Sequence, residues 1–281
     1  MVREGRLRWR TAEELPPSTV LIRSPYDGEA RSGKKRQTEG TGDKVHLTAT
    51  CAADLPSVIL TVQTTAAPST AYAMTPVVQR QLGEHNGLPR EQLVATGDTS
   101  ADHLVSSRKQ GIALLGPLAA EKRWPAQANE GFDTSALVID WAAHQARCPH
   151  GQLSQKWQLR AGPQSAVLHF GFSRTACRAC PVRSKCTQAA LWPRALTIDP
   201  QPACAALQAA RQRHQTSECW PQYARRAGIA GTMAQGNARA DLRRARFVGL
   251  AKTQLQHLCT ALGLTVLRRG AWLADVKPHT T

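Results

Sequence analysis

The fold of this chain is decided by a basic stretch near its C-terminus. It reads Tyr223-Ala-Arg-Arg-Ala-Gly-Ile-Ala230 and resumes as Leu242-Arg-Arg-Ala-Arg-Phe-Val-Gly-Leu-Ala-Lys252. The spacing of apolar residues in this part of the chain predicts helices over 203–213 and over about 238–269, the second one broken near Gly249. The C-terminal third is therefore expected to be helical.

The chain is strongly basic, and its excess charge is concentrated around that stretch. It has 36 Lys and Arg residues against 20 Asp and Glu, a net charge of +16. Between residues 205 and 270, eleven basic residues are opposed only by Glu218 and Asp241, so this segment alone supplies +9. Segregated positive charge favours a polyanionic partner, most simply DNA. The alternatives are a basic surface kept for solubility and a solvated helix face.

On the second predicted helix, basic side chains would share one broad face. They are Arg243, Arg244, Arg246 and Lys252. Apolar side chains would turn inward from the same helix. These are Leu242, Leu250 and Leu255. Together with Arg226 upstream, the basic set is the predicted DNA-binding surface, and contacts to phosphates would make the binding non-specific.

The sequence shows no signal for a membrane or for secretion. No window approaches the roughly 18 apolar residues of a membrane span, and residues 1–17 lack the apolar core of a signal peptide. We therefore expect a cytoplasmic protein of unknown oligomeric state. In a reducing compartment its eight cysteines indicate metal ligands or free thiols rather than disulfides.

The first 120 residues alternate between strand and helix signals. Residues 1–36 are expected to form a loop with one short strand at 20–23. The elements predicted after it are strands at 44–51 and 57–65, a helix at 75–83, a strand at 92–97, a helix at 100–110 and a strand at 111–116. This order favours an α/β sheet with helices packed on it.

Residues 125–200 break that rhythm and are rich in cysteine, tryptophan and turn residues. Three short strands are predicted there, at 137–141, 154–159 and 166–172. This region is therefore expected to be a small β-rich insertion.

Four cysteines of the insertion have spacing typical of a metal site: Cys148, Cys177, Cys180 and Cys186. A Cys-x2-Cys turn presents two thiolates to one tetrahedral ion, and two further thiolates can complete the coordination of zinc. His150 is a substitute ligand in this hypothesis, and buried thiols without a ligand are the alternative. The four remaining cysteines are expected to be core residues or incidental: Cys51, Cys204, Cys219 and Cys259.

Further motifs occur in a fixed order along the chain. They are Ser24-Pro-Tyr-Asp-Gly-Glu-Ala-Arg31, Lys44-Val-His-Leu47, Gly131-Phe-Asp133, Ile139-Asp-Trp141, Cys177-Arg-Ala-Cys-Pro-Val-Arg183 and Leu207-Gln-Ala-Ala-Arg211. Together with the basic stretch, they resemble the C-terminal half of bacterial insertion-sequence transposases of the DDE type, in the group with a cysteine-bearing insertion. The resemblance covers residues 2–273. It implies an RNase H-like α/β core in which three carboxylates hold two Mg²⁺ ions for cutting and joining DNA ends.

The same resemblance implies that the catalytic site is not intact. The family has a Tyr-x2-Arg-x3-Glu signature, in which Tyr223 and Arg226 are kept here and Ala230 takes the place of the glutamate. Ala95 takes the place of the second aspartate. The first aspartate would fall upstream of residue 1, so an N-terminally truncated core is expected. Other family residues are also replaced, by Gly40, Asp43, Ala49 and Thr265.

Nearby carboxylates are weak substitutes for the missing ones. Asp98 lies three residues beyond the family position, past the expected strand end. Asp27 and Glu29 lie in a basic loop and are expected to be ion-pair partners, whereas Asp140 is expected to be structural. No residue is therefore predicted to be an intact catalytic carboxylate.

We therefore expect a transposase-family protein whose ancestors joined DNA ends by two-metal phosphoryl transfer, and which is itself inactive. The alternative is a non-catalytic DNA-binding zinc protein derived from a transposase, and a third hypothesis is an RNA-binding zinc protein. The expected domain layout is a basic segment at 1–40, a partial core at 41–120, a zinc-binding insertion at 121–202, helices completing the core at 203–273 and a tail at 274–281.

Overall fold

The computed structural model describes residues 2–3, 6–35, 37–52, 54–119, 131–162 and 166–275. The predicted start of the insertion at 121 and most of the predicted tail at 274–281 lie outside these ranges. The chain divides into two compact units. Unit 1 combines residues 1–93 with 220–281, and unit 2 is the continuous segment 94–219.

Unit 1 is built from short antiparallel sheets and two long helices. Its strands are β1 (Val2–Arg3), β2 (Arg6–Leu7), β3 (Arg31–Lys35), β4 (Thr38–Ala49), β5 (Ile59–Ala66) and β6 (Glu91–Leu93). Its helices are α1 (Met74–Glu84), α7 (Ala227–Ala240) and α8 (Leu250–Leu273), and α6 (Cys219–Ala224) begins at the last residue of unit 2. Strands β3, β4 and β5 form one antiparallel sheet in that order.

Helix α8 packs on β5 through polar as well as apolar contacts. His257 is buried, and its Nδ1 lies 2.6 Å from the Thr64 hydroxyl on β5. The Gln254 amide donates to the Val62 carbonyl at 3.0 Å, and the Thr265 hydroxyl accepts the backbone N–H of Ile59 at 3.3 Å. Because these contacts join opposite ends of the sequence, the sheet and the C-terminal helix form one structural unit.

Unit 2 contains the predicted β-rich region. Its strands are β7 (Ala113–Leu115), β8 (Val138–Asp140), β9 (Gln145–Arg147), β10 (Lys156–Ala161), β11 (Ala166–Gly171) and β12 (Ala195–Ile198). Its helices are α2 (Ala101–Lys109), α3 (Arg174–Arg178), α4 (Arg183–Cys186) and α5 (Gln201–His214). Strands β10, β11 and β12 form an antiparallel sheet, and β8 pairs with β9.

The main core of unit 2 surrounds Phe170 on the central strand of that sheet. Phe170 is fully buried and stacks on Trp157, with 6.0 Å between the ring centroids. Phe172 meets it edge-on. Cys148 and Cys177 pack against the same cluster, so the core carries part of the cysteine set.

Most predicted elements are present, two expectations are wrong, and one is correct only in part. Strands β4 and β5, helices α1, α2 and α5, and the three strands of the β-rich region lie where the sequence predicts them. Residues 20–23 form no strand, whereas 31–35, expected as loop, form β3. The helix expected over 238–269 does break at Gly249, as predicted, but the break extends back to 241, because Asp241 takes a left-handed conformation with φ of 50° and ends α7.

The architecture is a mixed α/β one with small sheets. An RNase H-like core stays a prediction, as does the expected domain layout. Among the described residues, strands gather into sheets of two or three rather than one larger sheet.

Candidate functional site

The two positions at which the resemblance implies a replaced carboxylate are Ala95 and Ala230. Ala95 follows β6 in an extended conformation and is half-buried, and Ala230 is exposed on α7. An alanine methyl group has no oxygen to offer a metal ion, and Mg²⁺ requires oxygen ligands. The side chains at these positions therefore do not fit the divalent ions that the family uses.

Asp98 is the carboxylate nearest in sequence to Ala95. It ends a 3-10 turn over Thr96–Asp98 and is buried, with 9% of its surface exposed. Its Oδ1 has no hydrogen-bond partner, whereas its backbone carbonyl lies 2.9 Å from Nδ1 of His103. Asp98 therefore offers a carboxylate oxygen without a hydrogen-bond partner three residues after Ala95.

Three carboxylates of unit 1 lie at the N-terminus of α8, those of Asp27, Glu29 and Asp43. Asp27 Oδ2 accepts the backbone N–H of Gly249 at 3.2 Å, and Glu29 Oε2 accepts that of Leu250 at 2.6 Å. The helix has no cap from its own N-cap residue, which is Gly249. Asp27 and Glu29 thus cap a helix more than 200 residues away in sequence. Their expected role as ion-pair partners stays a prediction.

The carboxyl groups at this cap have pKa values shifted in opposite directions. The hydrogen bond from Gly249, followed by that from Glu29, holds the pKa of the Asp27 carboxyl below its ordinary value. Asp43 is half-buried nearby. Burial, and then the charge of Asp27, raises the pKa of Asp43, and a hydrogen bond with Thr253 opposes the rise. One carboxylate therefore stabilises the folded state and another opposes it.

Most of the predicted DNA-binding residues lie on the segment 241–249, which we call the arginine loop. Arg243, Arg244 and Arg246 are exposed on it, and Lys252 is exposed on the first turn of α8. Arg226 is half-buried at the N-cap of α7. The basic residues are thus displayed by a loop and a helix start, not by one helix face as expected.

Hydrogen bonds and packing fix the arginine loop at its start, middle and end. Leu242 is buried against Gly236 of α7, where an added Cβ would stand 2.9 Å from the leucine side chain. Gln256 of α8 accepts the backbone N–H of Arg246 at 2.8 Å and donates to the carbonyl of Arg244 at 2.9 Å. Gly249 closes the loop with a φ of 94°, which a glycine adopts without strain.

The apolar face expected on α8 is only partly buried. Leu242 is buried and Leu250 is half-buried, as predicted, but 62% of Leu255 is exposed. Leu255 was predicted to turn inward on the same helix face as Leu242 and Leu250, and this expectation is wrong. Because α8 starts afresh at Leu250, its buried positions are instead Thr253, His257, Ala261 and Leu264.

The four cysteines of the insertion line one small cavity in unit 2. The cavity has a volume of about 30 Å³, and Cys148, Cys177, Cys180, Cys186 and His150 are among its lining residues. Burial raises the pKa of the Cys186 thiol, Arg194 lowers it, and the three other thiols act on it electrostatically. The spacing in sequence therefore does bring the cysteines to one place.

Local structure explains why these cysteines meet. Cys148 begins a tight turn after β9, in which its carbonyl accepts the N–H of Gly151 at 2.8 Å and its sulfur accepts that of Gln152 at 3.3 Å. Cys177 is on α3, and Cys186 ends α4. Across the described ranges, however, no three Cys, His, Asp or Glu side chains already stand as a group that could hold a metal ion.

The other four cysteines have separate environments. Cys219 is buried, and Cys51 and Cys259 are exposed. Burial, together with Asp199, raises the pKa of Cys204 to about 11, so this thiol stays protonated and inert.

Sequence reasoning missed three features of the arginine loop and its surroundings. Phe247 and Val248 are about half-exposed beside the arginines. Gln256 anchors the loop, and the loop containing Asp27 caps the helix after it. The apolar pair Phe247-Val248 beside the arginines could have been noticed in the sequence. The cap of α8 by Asp27 could not, because the two are far apart in the chain.

Comparison with known proteins gives one match. Residues 147–268 match a family model described as Transposase DDE domain. No curated protein and no solved structure is similar at a significant level. The helices among the described residues include none that is both long and apolar enough for a membrane span. The matched region holds the four cysteines of the cavity, the arginine loop and Ala230, so over residues 147–268 this chain is similar to the DDE domain of transposases.

Proposed function

We propose that this chain is a transposase-derived protein that binds DNA through the arginine loop and does not cut or join DNA strands. The observation that carries the proposal is the rigid display of three exposed arginines by a loop that two other elements hold in place. A loop already fixed in the free protein loses little conformational freedom on binding. The transposase family supports DNA as the polyanion.

The charges of the loop suit a phosphate backbone. Arg243 and Arg246 are exposed, and Arg244 has only a long, exposed contact with Asp241, at 3.9 Å. Such surface pairs contribute little and are easily exchanged for a phosphate contact. Guanidinium groups bind phosphate oxygens in a bidentate manner, and the counterions released make the affinity salt-dependent.

The absence of strand chemistry rests on the replaced carboxylates. Ala95 and Ala230 hold no ion, and Asp98 is buried with its oxygen turned away from solvent. Two-ion catalysis needs carboxylates on both sides of the reacting phosphate. The ancestral magnesium site is therefore not expected to bind metal here.

The binding part of the proposal is tested by replacing Arg243 and Arg244 with alanine. The slope of log affinity against log salt should fall by about 2, since each lost phosphate contact contributes about 0.9. The loss should be equal on unrelated DNA sequences. The matched control is Arg108→Ala with Lys109→Ala, an equal charge change at exposed residues of α2. An affinity that does not depend on salt, or equal losses in the two variants, would contradict the proposal.

The chemical part is tested with a strand-joining assay in Mg²⁺ or Mn²⁺. The native chain should give no product on DNA carrying the terminal repeats of its own element. Product from the native chain that disappears in Asp98→Asn would show that the orphaned carboxylate is catalytic after all.

We also propose that the cysteine cavity binds one structural zinc ion. Four thiols and His150 line a cavity with room for about one water-sized atom. The donor set suits zinc, which favours four sulfur or nitrogen ligands. Since no three of these side chains stand in a coordinating arrangement, binding requires the thiols to rotate toward the ion.

A further inference from the structure

The arginine loop exposes an apolar pair that its structural role does not explain. Phe247 has 52% of its surface exposed, and Val248 has 55%. The loop is held by Leu242, by backbone bonds to Gln256 and by the Asp27 cap, none of which involves these two side chains. A phenylalanine kept in water on a fixed loop is available for contact with a partner.

The chemistry around Phe247 selects the partner. Arg246 precedes it, and Arg243 and Arg244 lie three and four residues earlier, all exposed. An apolar docking site for protein would not need this concentration of positive charge. An aromatic ring among phosphate-binding side chains is the arrangement by which proteins stack on unpaired bases.

The acidic groups nearby do not cancel this charge. Asp27 and Glu29 are hydrogen-bonded to the backbone N–H groups of Gly249 and Leu250, at the positive end of α8. Asp241 is the one acidic residue within the loop, and its contact with Arg244 is 3.9 Å long. The outward surface of the loop therefore remains positive beside the exposed ring.

We propose that Phe247 stacks on an unpaired DNA base while the neighbouring arginines hold the phosphates of the same strand. This inference rests on the proposed function and deepens it, because it names the form of DNA that the loop takes. The loop then favours single-stranded or frayed DNA over a fully paired duplex. In a duplex the bases are already stacked on each other, so the ring gains a contact only after unstacking.

The test uses the full chain and an oligonucleotide with 2-aminopurine at one position. Binding of the single strand should change the fluorescence of this base, and Phe247→Ala should remove the change and weaken single-strand binding about tenfold. Phe247→Trp should keep both. Duplex affinity and the salt slope should be the same in all three proteins, because the arginines are untouched.

Val248→Ala is the matched control, since it shortens an equally exposed apolar side chain in the same loop without removing a ring. Thermal unfolding should be unchanged in each variant. Equal single-strand binding by the native chain and Phe247→Ala would overturn the inference and leave the DNA-binding function standing. A native chain that binds no DNA would refute the proposed function itself. Tighter binding to RNA than to DNA of the same sequence would overturn DNA as the partner.

Discussion

The arginine loop and the cysteine cavity are both clusters that the sequence indicates, but they differ in what holds them. Backbone hydrogen bonds and a buried leucine fix the loop, and its functional side chains point outward. The cysteines point toward one cavity and do not yet form a coordinating group. The loop is therefore ordered without a ligand, whereas the proposed zinc site would gain its final order from the ion.

The largest expected effect concerns the cavity. Cys180→Ser removes one proposed zinc ligand, and it should lower the free energy of unfolding of unit 2 by about 3 kcal/mol or more, a fraction of the binding energy of structural zinc. Bound zinc should fall from one ion per chain toward none. The measurements are metal analysis and thermal unfolding with and without a chelator.

Cys259→Ser is the control, because Cys259 is exposed on α8 in the other unit. It should change neither quantity. Native protein that is isolated without zinc and unfolds at the same temperature with and without chelator would contradict the zinc proposal. The cavity, like the loop, would then be ordered without a ligand.

A smaller effect is expected in unit 1, at the half-buried Arg268. Arg268 of α8 donates to the Thr232 hydroxyl at 2.9 Å and to Gln235 Oε1 at 2.9 and 3.1 Å, and its burial lowers its pKa. Arg268→Ala leaves the buried Thr232 with one partner fewer and should cost about 2 kcal/mol. Urea denaturation measures the loss.

Arg269→Ala is the natural comparison, since Arg269 is the exposed neighbour. It should stay within about 0.5 kcal/mol of the native chain. If both variants also bound DNA as tightly as the native protein, the binding charge would lie on the arginine loop and not along the whole of α8. Equal destabilisation by the two substitutions would contradict the internal role of Arg268.

The smallest effects concern the cap that fixes the loop, and they should have opposite signs. Asp27 has a lowered pKa in the folded state, so its stabilisation is present at neutral pH and is lost as pH falls through that value. Asp27→Ala should therefore cost about 1 kcal/mol at pH 7, the usual effect of losing a helix cap. Asp43 has a raised pKa, so its charge opposes folding once pH exceeds the ordinary value of 3.8. Asp43→Asn should stabilise at pH 7 by less than about 1 kcal/mol.

Unfolding measured from pH 7 down to pH 3 checks both signs. Both differences should shrink as pH falls, that at Asp43 first and that at Asp27 only at lower pH, because the pKa of Asp43 is raised and that of Asp27 is lowered. A destabilising Asp43→Asn at neutral pH would show that this carboxylate supports the cap instead of opposing it.

How far the sequence predicted the structure depends on how local each feature is. The alternation in β4 and β5 and the pattern of α1 and α5 were sufficient to place those elements. The break expected near Gly249 in the helix over 238–269 is longer than predicted, because α7 already ends at Asp241, where Leu242 packs against Gly236. The cysteine spacing predicted the shared cavity but could not give the orientation of the thiols.

For the arginine loop, the sequence predicted the basic residues but not the contacts that hold them. Arg243, Arg244 and Arg246 were found from charge alone, and their exposure is as expected. Their anchoring was not, because Asp27 and Gly249 are 222 positions apart. No local pattern encodes a contact at that separation.

The cap between Asp27 and the start of α8 also sets an order of events during synthesis. Unit 2 is a continuous segment that can fold once residue 219 has left the ribosome, whereas β4 and β5 emerge early and must wait for residues 250–273. Until then Val62, which is buried in the finished protein, has no helix over its strand. While residues 67–249 are being translated, the nascent chain therefore carries an uncovered sheet, the kind of surface that chaperones bind.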